Sequence, residues 1–205
     1  ALEIVARYGQ ASVQAHAAAL MAYAEQFARA VIADIPPGDY AAEDFLEAAE
    51  AGLGDGTAAG LIPLRVVVRV RGDTLTADFT GSAPAVSGNL NAVRAIVESA
   101  LGYVVRCLAP DDLPMNAGAF APLRAIIPED SLLNAQPPRA VAAGNVETSQ
   151  RVVDALFGAL AQALPERIAA DNSGGSTLPT ISGWRDGKPF VFCETFMGNY
   201  GATAH

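Results

Sequence analysis

The residue types best suited to chemistry lie together in one stretch, Val141-Ala142-Ala143-Gly144-Asn145-Val146-Glu147-Thr148-Ser149-Gln150-Arg151. Glu147 supplies a carboxylate that can act as a general base towards water, or hold a metal ion or a substrate N–H. Asn145, Thr148, Ser149 and Gln150 flank it with neutral donors and acceptors suited to a polar small molecule. Backbone N–H groups at a helix start would add to that set. The same residue types also make ordinary helix caps, in which case Glu147 contributes a dipole contact of about 0.3–1 kcal/mol and nothing more. The first reading makes Glu147 catalytic and its four neighbours substrate-binding.

A positioned carboxylate needs a rigid support, and the downstream sequence offers one. Val153, Leu156, Phe157, Leu160 and Leu164 recur at helical spacing, which predicts a helix from Val152 to Leu164 with its apolar face in a core. Asn145 is expected as the N-cap, with Glu147 in the first turn. Pro137-Pro138 places a loop just upstream.

The remaining elements frame this junction. Val13, Ala17, Leu20, Ala24, Phe27 and Val31 predict one long amphipathic helix over residues 3–33, ended by Pro36-Pro37-Gly38. His16, at the edge of that stripe, reads as a hydrogen-bonded core residue rather than a ligand. A strand is expected over Tyr40–Leu46, then an Ala/Gly-rich loop over 48–60. Leu64–Arg71 and Thr74–Thr80 flank Gly72-Asp73 and predict a β-hairpin, with Arg65, Arg69 and Arg71 on a solvated face. A second helix is expected from Val93 to Leu108, capped by Asn89 or Asn91, and a short strand over Leu123–Ile127. Asp171–Thr177 reads as a polar, glycine-rich loop, and Gly183–Lys188 as a hairpin turn leading into a strand over Pro189–Thr195. These elements predict an α+β fold in which three long amphipathic helices pack on antiparallel β-hairpins. Residues 1–35 form an N-terminal helix and 36–205 an α+β body.

Composition narrows the function classes. The 205 residues are 51% hydrophobic and 17% charged, values of a globular chain that can bury a sizeable core. A net charge of −9 argues against nucleic-acid binding, which needs clustered cations to neutralise phosphates. Acidic residues interrupt every apolar run, so no membrane span is expected. The opening Ala1-Leu2-Glu3-Ile4 lacks the features of a signal peptide. Cys107 and Cys193 have no CxxC partner, which argues against a zinc site built by this chain. They read as reduced, buried thiols of a cytoplasmic protein. No Ser-His-Asp constellation, phosphate-binding P-loop or dinucleotide fingerprint is present.

Several segments in order carry a family resemblance: Asp78-Phe79-Thr80-Gly81-Ser82, Gly88-Asn89-Leu90-Asn91-Ala92, Arg106-Cys107-Leu108, Leu113-Pro114-Met115-Asn116-Ala117-Gly118, Ser131-Leu132-Leu133-Asn134 and Ala143–Arg151. Glu194-Thr195 and Gly198-Asn199-Tyr200-Gly201 continue the series. The set resembles the middle portion of hydantoinase B/5-oxoprolinase subunits, so a longer native chain is expected. The resemblance implies an ATP-dependent hydrolase that opens a cyclic amide such as hydantoin, N-methylhydantoin or 5-oxoproline. It equally admits a carboxylase acting on a ketone, and a non-catalytic scaffold or assembly module remains a third reading. It implies an A-type partner subunit or domain that uses ATP to activate the small-molecule substrate, and a divalent metal in the full complex. No cofactor is expected on this chain itself, and neither nucleic acid nor membrane as a partner. The family's histidine-containing, metal-binding segment has no counterpart here, since the only histidines are His16 and His205. The 171–177 loop also departs from the family's usual Gly-Thr-Met-Asn-Asn type.

Overall fold

The computed structural model of the chain describes residues 2–47, 60–198 and 201–202. Most of the expected 48–60 loop, the Asn199-Tyr200 part of the last motif, and His205 lie outside the described residues.

A four-stranded sheet forms the frame, in the order β1 (Gly38–Glu47), β2 (Leu61–Arg71), β3 (Thr74–Asp78), β4 (Leu123–Ile126). Strand β2 shows why. Ile62, Leu64, Val66, Val68 and Val70 point inward and are buried, while Arg65 and Arg71 between and after them stay exposed. This is the period-2 alternation of a sheet with one wet face. On that face Arg65 pairs with Glu43 at 2.6 Å, and Arg69 with Asp78 at 2.9 Å. Strands β2 and β3 form the expected hairpin across Gly72-Asp73, with Val68 opposite Ala77. Strand β4 departs from the expected antiparallel arrangement, because it runs parallel to β3. A parallel neighbour needs a crossover connection, and here α3 (Arg94–Leu108) lies within it.

Three helices cover the inner face of the sheet. The last turns of α2 (Gln10–Ala33) bring Val31 and Ile32. Helix α3 brings Val97, Leu101, Val104 and Val105, and α5 (Thr148–Ala161) brings Val152, Leu156 and Leu160. All of these join one buried cluster with the sheet's inner side chains. Each buried Val, Leu or Ile contributes about 1.5–3 kcal/mol by leaving water. The fold is therefore α+β, though its helices differ from the expected trio. Gly9, at φ 80, breaks the first one into α1 (Leu2–Tyr8) and α2. Helix α2 is buried only from Ala24 onward, so Leu20, within the expected stripe, stays 51% exposed. His16 is exposed too, its Nδ1 2.8 Å from Ser12 O, and does not enter the core.

Neither Asn89 nor Asn91 caps α3. Val93 takes the N-cap place, with no side-chain bond. Helix α5 starts at Thr148, earlier than the apolar pattern indicated. Cys107 sits on the outer face of α3, one turn after the exposed Tyr103, and Cys193 ends an exposed strand. Neither thiol is buried. The second hairpin, Thr180–Arg185 and Lys188–Cys193, turns at Asp186-Gly187 with φ 53 and 75, as its Asp-Gly sequence favours. A four-residue helix, α4 (Ala117–Phe120), packs on α2 so closely that a Cβ on Gly118 would lie 1.9 Å from Met21 O.

Asn91 serves as an internal tie. It is fully buried, accepts a 2.7 Å bond from Val86 N–H, and sets its amide nitrogen 2.9 Å from the carbonyls of Val86, Gly88 and Ala140. One side chain thus satisfies the backbone of two loops far apart in sequence. Asn91→Ala should lower unfolding stability by about 3 kcal/mol or more, because several buried backbone groups lose their partner at about 1–3 kcal/mol each. Denaturant titration of parent and variant chains measures this, and a loss under about 1 kcal/mol would show that water replaces the amide.

Candidate active site

The polar start of α5 is built by close contacts with the loop around Asn91. A 3-10 turn, Ala143–Asn145, precedes the helix. A Cβ on Gly144 would fall 2.0 Å from the Asn91 carbonyl oxygen, so only glycine permits this approach. Ala143 N–H donates to Asn89 O at 2.9 Å, and the buried Thr148 hydroxyl donates to Leu90 O. Thr148 therefore locks the helix start to the loop and faces no cleft. Asn145 is not the N-cap. Glu147 holds that position, and it caps nothing with its side chain.

One turn on, Arg151 joins three parts of the molecule. Its Nη1 lies 3.2 Å from Asp44 of β1, and its Nε donates to Gly174 O at 3.2 Å. Its Nη2 is 3.4 Å from Asp154 Oδ2 within α5. The glycine-rich 171–177 loop is thereby held against the helix. Asn172 donates to Asp154 Oδ1 at 3.2 Å, and Gln150 donates to Ser176 Oγ at 3.1 Å. Gly174 has φ 66, and a Cβ there would meet Arg151 Nη2 at 0.6 Å.

This loop divides the expected site in two. Glu147 is half-buried in a cleft of about 240 Å3 with Glu47, Arg151, Ser173 and Gly175. Asn145, Ser149 and Gln150 line a different cleft of about 390 Å3, with Ser99 and Tyr103 of α3 and Asn172. Its apolar floor is Ile96, Ala100 and Val153. A third cleft, of about 430 Å3, lies behind Asn172 between Asp154, Cys107 and Arg167. The expected group of five residues thus resolves into a carboxylate on one side, three neutral contacts on another, and Thr148 in the core.

Sequence reasoning missed Asp44, Arg151, Asp154, Ser99 and Tyr103. Asp154 carried a signal: it interrupts the apolar face of a helix three residues after an arginine, the spacing of a helical ion pair. Asp44, Ser99 and Tyr103 carried none, because only folding brings them to α5.

The described residues fit neither a divalent ion nor a nucleotide phosphate. Among the described residues no three His, Cys, Asp or Glu side chains converge. Asp44 and Asp154 both face the Arg151 guanidinium, which already opposes their charge. At the glycine loop a Cβ on Gly175 would lie 2.6 Å from Glu147 Oε2, and that carboxylate sets a negative charge where a phosphate would approach. No reaction step is assigned to a metal or nucleotide on this chain.

Asp154 is 4% exposed, and its Oδ2 makes no hydrogen bond. Burial pushes its carboxyl up to about 6, with Arg151 pulling it down and Asp171 and Asp44 pushing it further up. The native state therefore keeps a proton that the unfolded chain releases near the usual carboxylate range. Stability falls as pH rises from about 4 to about 6, and the loss persists above that. Asp154→Asn should flatten this slope, removing about 1–3 kcal/mol of destabilisation between pH 4 and pH 7. Denaturant midpoints across that range test it, and parallel profiles for parent and variant would refute the assignment.

Comparison with known proteins places these features in a family. The Hydantoinase B/oxoprolinase family model matches residues 1–205. The 5-oxoprolinase of Saccharomyces cerevisiae is 39% identical over 152 residues, covering 70% of this chain and 11% of that protein. The B-type subunit of a putative D-/L-hydantoinase from a Pseudomonas species is 30% identical over 207 residues, covering 98% of this chain and 34% of that protein. The crystal structure of an ATP-dependent caprolactamase from Pseudomonas jessenii superposes with a TM-score of 0.78 at 25% identity, over 93% of this chain and 32% of that one. The chain spans about a third of the length of that hydantoinase component and less of the yeast enzyme. No described helix is long and apolar enough to cross a membrane. By a match that runs the whole length of its sequence, the chain belongs to the hydantoinase B/oxoprolinase family.

Proposed function

We propose that this chain is the central part of a B-type subunit in a cytoplasmic, ATP-dependent hydrolase that opens a cyclic amide, working with an A-type partner that carries out the ATP-dependent activation. The family match over residues 1–205 carries this reading, and the polar clefts around α5 support it. An unstrained amide carbonyl is a poor electrophile, so division of the work between activation and ring opening suits the chemistry. In this reading Asn145, Ser149 and Gln150 contact the ring, with Thr148 as a positioning residue beneath them. Glu147 acts as the base towards water, from a cleft it shares with Arg151. Because that cleft is separate from the neutral one, ring opening requires the substrate or the 171–177 loop to bring the two together.

The decisive measurement is ring opening of hydantoin, N-methylhydantoin or 5-oxoproline by the full-length chain with its A-type partner and ATP. The 205-residue chain alone should turn over none of them, and clear turnover would remove the need for a partner. Glu147→Gln in the full complex should lower turnover about a hundredfold, the scale of a lost acid–base group, with near-normal melting. Normal turnover with slightly lower stability would reduce Glu147 to a helix-dipole contact. ATP-dependent carboxylation of a ketone without ring opening would replace the hydrolase by its carboxylase relative.

A further inference from the structure

We infer that the cleft between α3 and α5 is a recognition site for an uncharged cyclic amide bearing a ring N–H, and that Gln150 and Ser149 read that N–H. This rests on the proposed function and narrows its substrate class.

The first observation is the hydrogen-bond account of the α5 wall. Gln150 Nε2 lies 2.8 Å from Val146 O and 3.1 Å from Ser176 Oγ. A backbone carbonyl only accepts, so the amide must present its nitrogen there, and both of its hydrogens are in use. Gln150 Oε1 has no partner among the described residues. The Ser149 hydroxyl donates to Asn145 O at 2.9 Å, which leaves its oxygen able only to accept. On this wall Gln150 and Ser149 therefore present acceptors only, beside the Asn145 amide, which can donate as well as accept. Across the cleft, the hydroxyls of Ser99 and Tyr103 can donate to a ring carbonyl. A lactam or hydantoin carries the matching N–H and C=O. A simple ketone has no N–H and would leave the Gln150 acceptor without a partner, the kind of mismatch that binding sites reject strongly.

The second observation is charge. No side chain lining this cleft is charged, and its floor is apolar. The chain as a whole carries a net charge of −9. A ligand carboxylate moved into the cleft would lose water and gain no cation, at a cost that only a paired charge offsets. The arginines near α5 are committed elsewhere, Arg151 to Asp44 and Gly174, and Arg94 of α3 to Glu98. 5-Oxoproline, an anion at neutral pH, is disfavoured against the same five-membered ring without its carboxylate. The volume of about 390 Å3 lies within the small-ligand range of about 300–1,000 Å3 and readily admits one such ring.

Three probes separate these terms: 2-pyrrolidone, N-methyl-2-pyrrolidone and 5-oxoproline. Binding to the full-length chain is followed by ligand-observed NMR titration. 2-Pyrrolidone should bind at least about tenfold more tightly than either of the others. Ser99→Lys, an exposed substitution on α3, should improve 5-oxoproline about tenfold relative to 2-pyrrolidone by supplying the missing cation. Equal affinities for 2-pyrrolidone and its N-methyl derivative would overturn the N–H reading. Tighter binding of 5-oxoproline by the parent chain, or no shift in preference with Ser99→Lys, would overturn the assignment of the site. Absence of binding by all three overturns it as well, even where the full complex opens a ring with ATP and so upholds the proposed function. Selective binding of 2-pyrrolidone by a complex that opens no ring would leave the recognition site standing and remove the hydrolase.

Discussion

The guanidinium of Arg151 is the constraint on which the active-site region depends. It is only 18% exposed, and a charge so placed is costly unless it is paired. Its partners come from an edge strand, from its own helix and from a loop more than twenty residues downstream. Other bonds support the same meeting, Gln162 Nε2 on Ala41 O of β1 at 2.8 Å and the loop's Asn172 and Ser176 on Asp154 and Gln150. Placing Asp44 on the inner side of β1 sets an inward charge on an edge strand, a feature that also discourages further strand pairing. Placing Asp154 beside Arg151 puts a second carboxylate into the protein interior, and burial holds its proton affinity high. The arrangement stabilises through geometry and strains through desolvation at the same time.

Two close backbone approaches complete the site without charge. Gly144 against Asn91 O lets the start of α5 meet the 86–92 loop, and Asn91 closes that loop with its own amide. Gly174 lets the 171–177 loop meet Arg151. Both are positions where a methyl group would displace backbone or a bound guanidinium. The motifs Gly88–Ala92 and Ala143–Arg151, far apart in sequence, thus form one unit.

The clefts on either side of α5 differ in chemistry as a consequence. One holds Glu147 and Glu47 beside Arg151, with Phe45 and Leu46 also in its lining. The other is neutral, with an apolar floor contributed by α3 and α5. One cleft thus carries charged side chains and the other none. The 171–177 loop reaches both, through Asn172 on one side and Ser173 to Gly175 on the other. Its contacts with α5 are hydrogen bonds to Arg151, Asp154 and Gln150.

By itself the sequence determined what depends on local periodicity and residue type. The alternation of β2 placed Val66, Val68 and Val70 inward and Arg65, Arg69 and Arg71 outward, because successive strand side chains face opposite ways. Asp186-Gly187 specified a hairpin turn through its tolerance of positive φ. The run from Ala143 to Arg151 disclosed a polar helix start, and its motifs disclosed the family. Tertiary structure decided what depends on distant partners. It broke the first helix at Gly9, set β4 parallel to β3, and turned Cys107 and His16 outward. It also withdrew Thr148 into the core and divided Glu147 from Asn145, Ser149 and Gln150. Residues adjacent in sequence on a helix point about 100° apart, so five neighbours cannot all face one ligand. Which direction becomes a cleft is settled by what packs on each side, and Asp44, Tyr103 and Asn172 bear no local mark of that role.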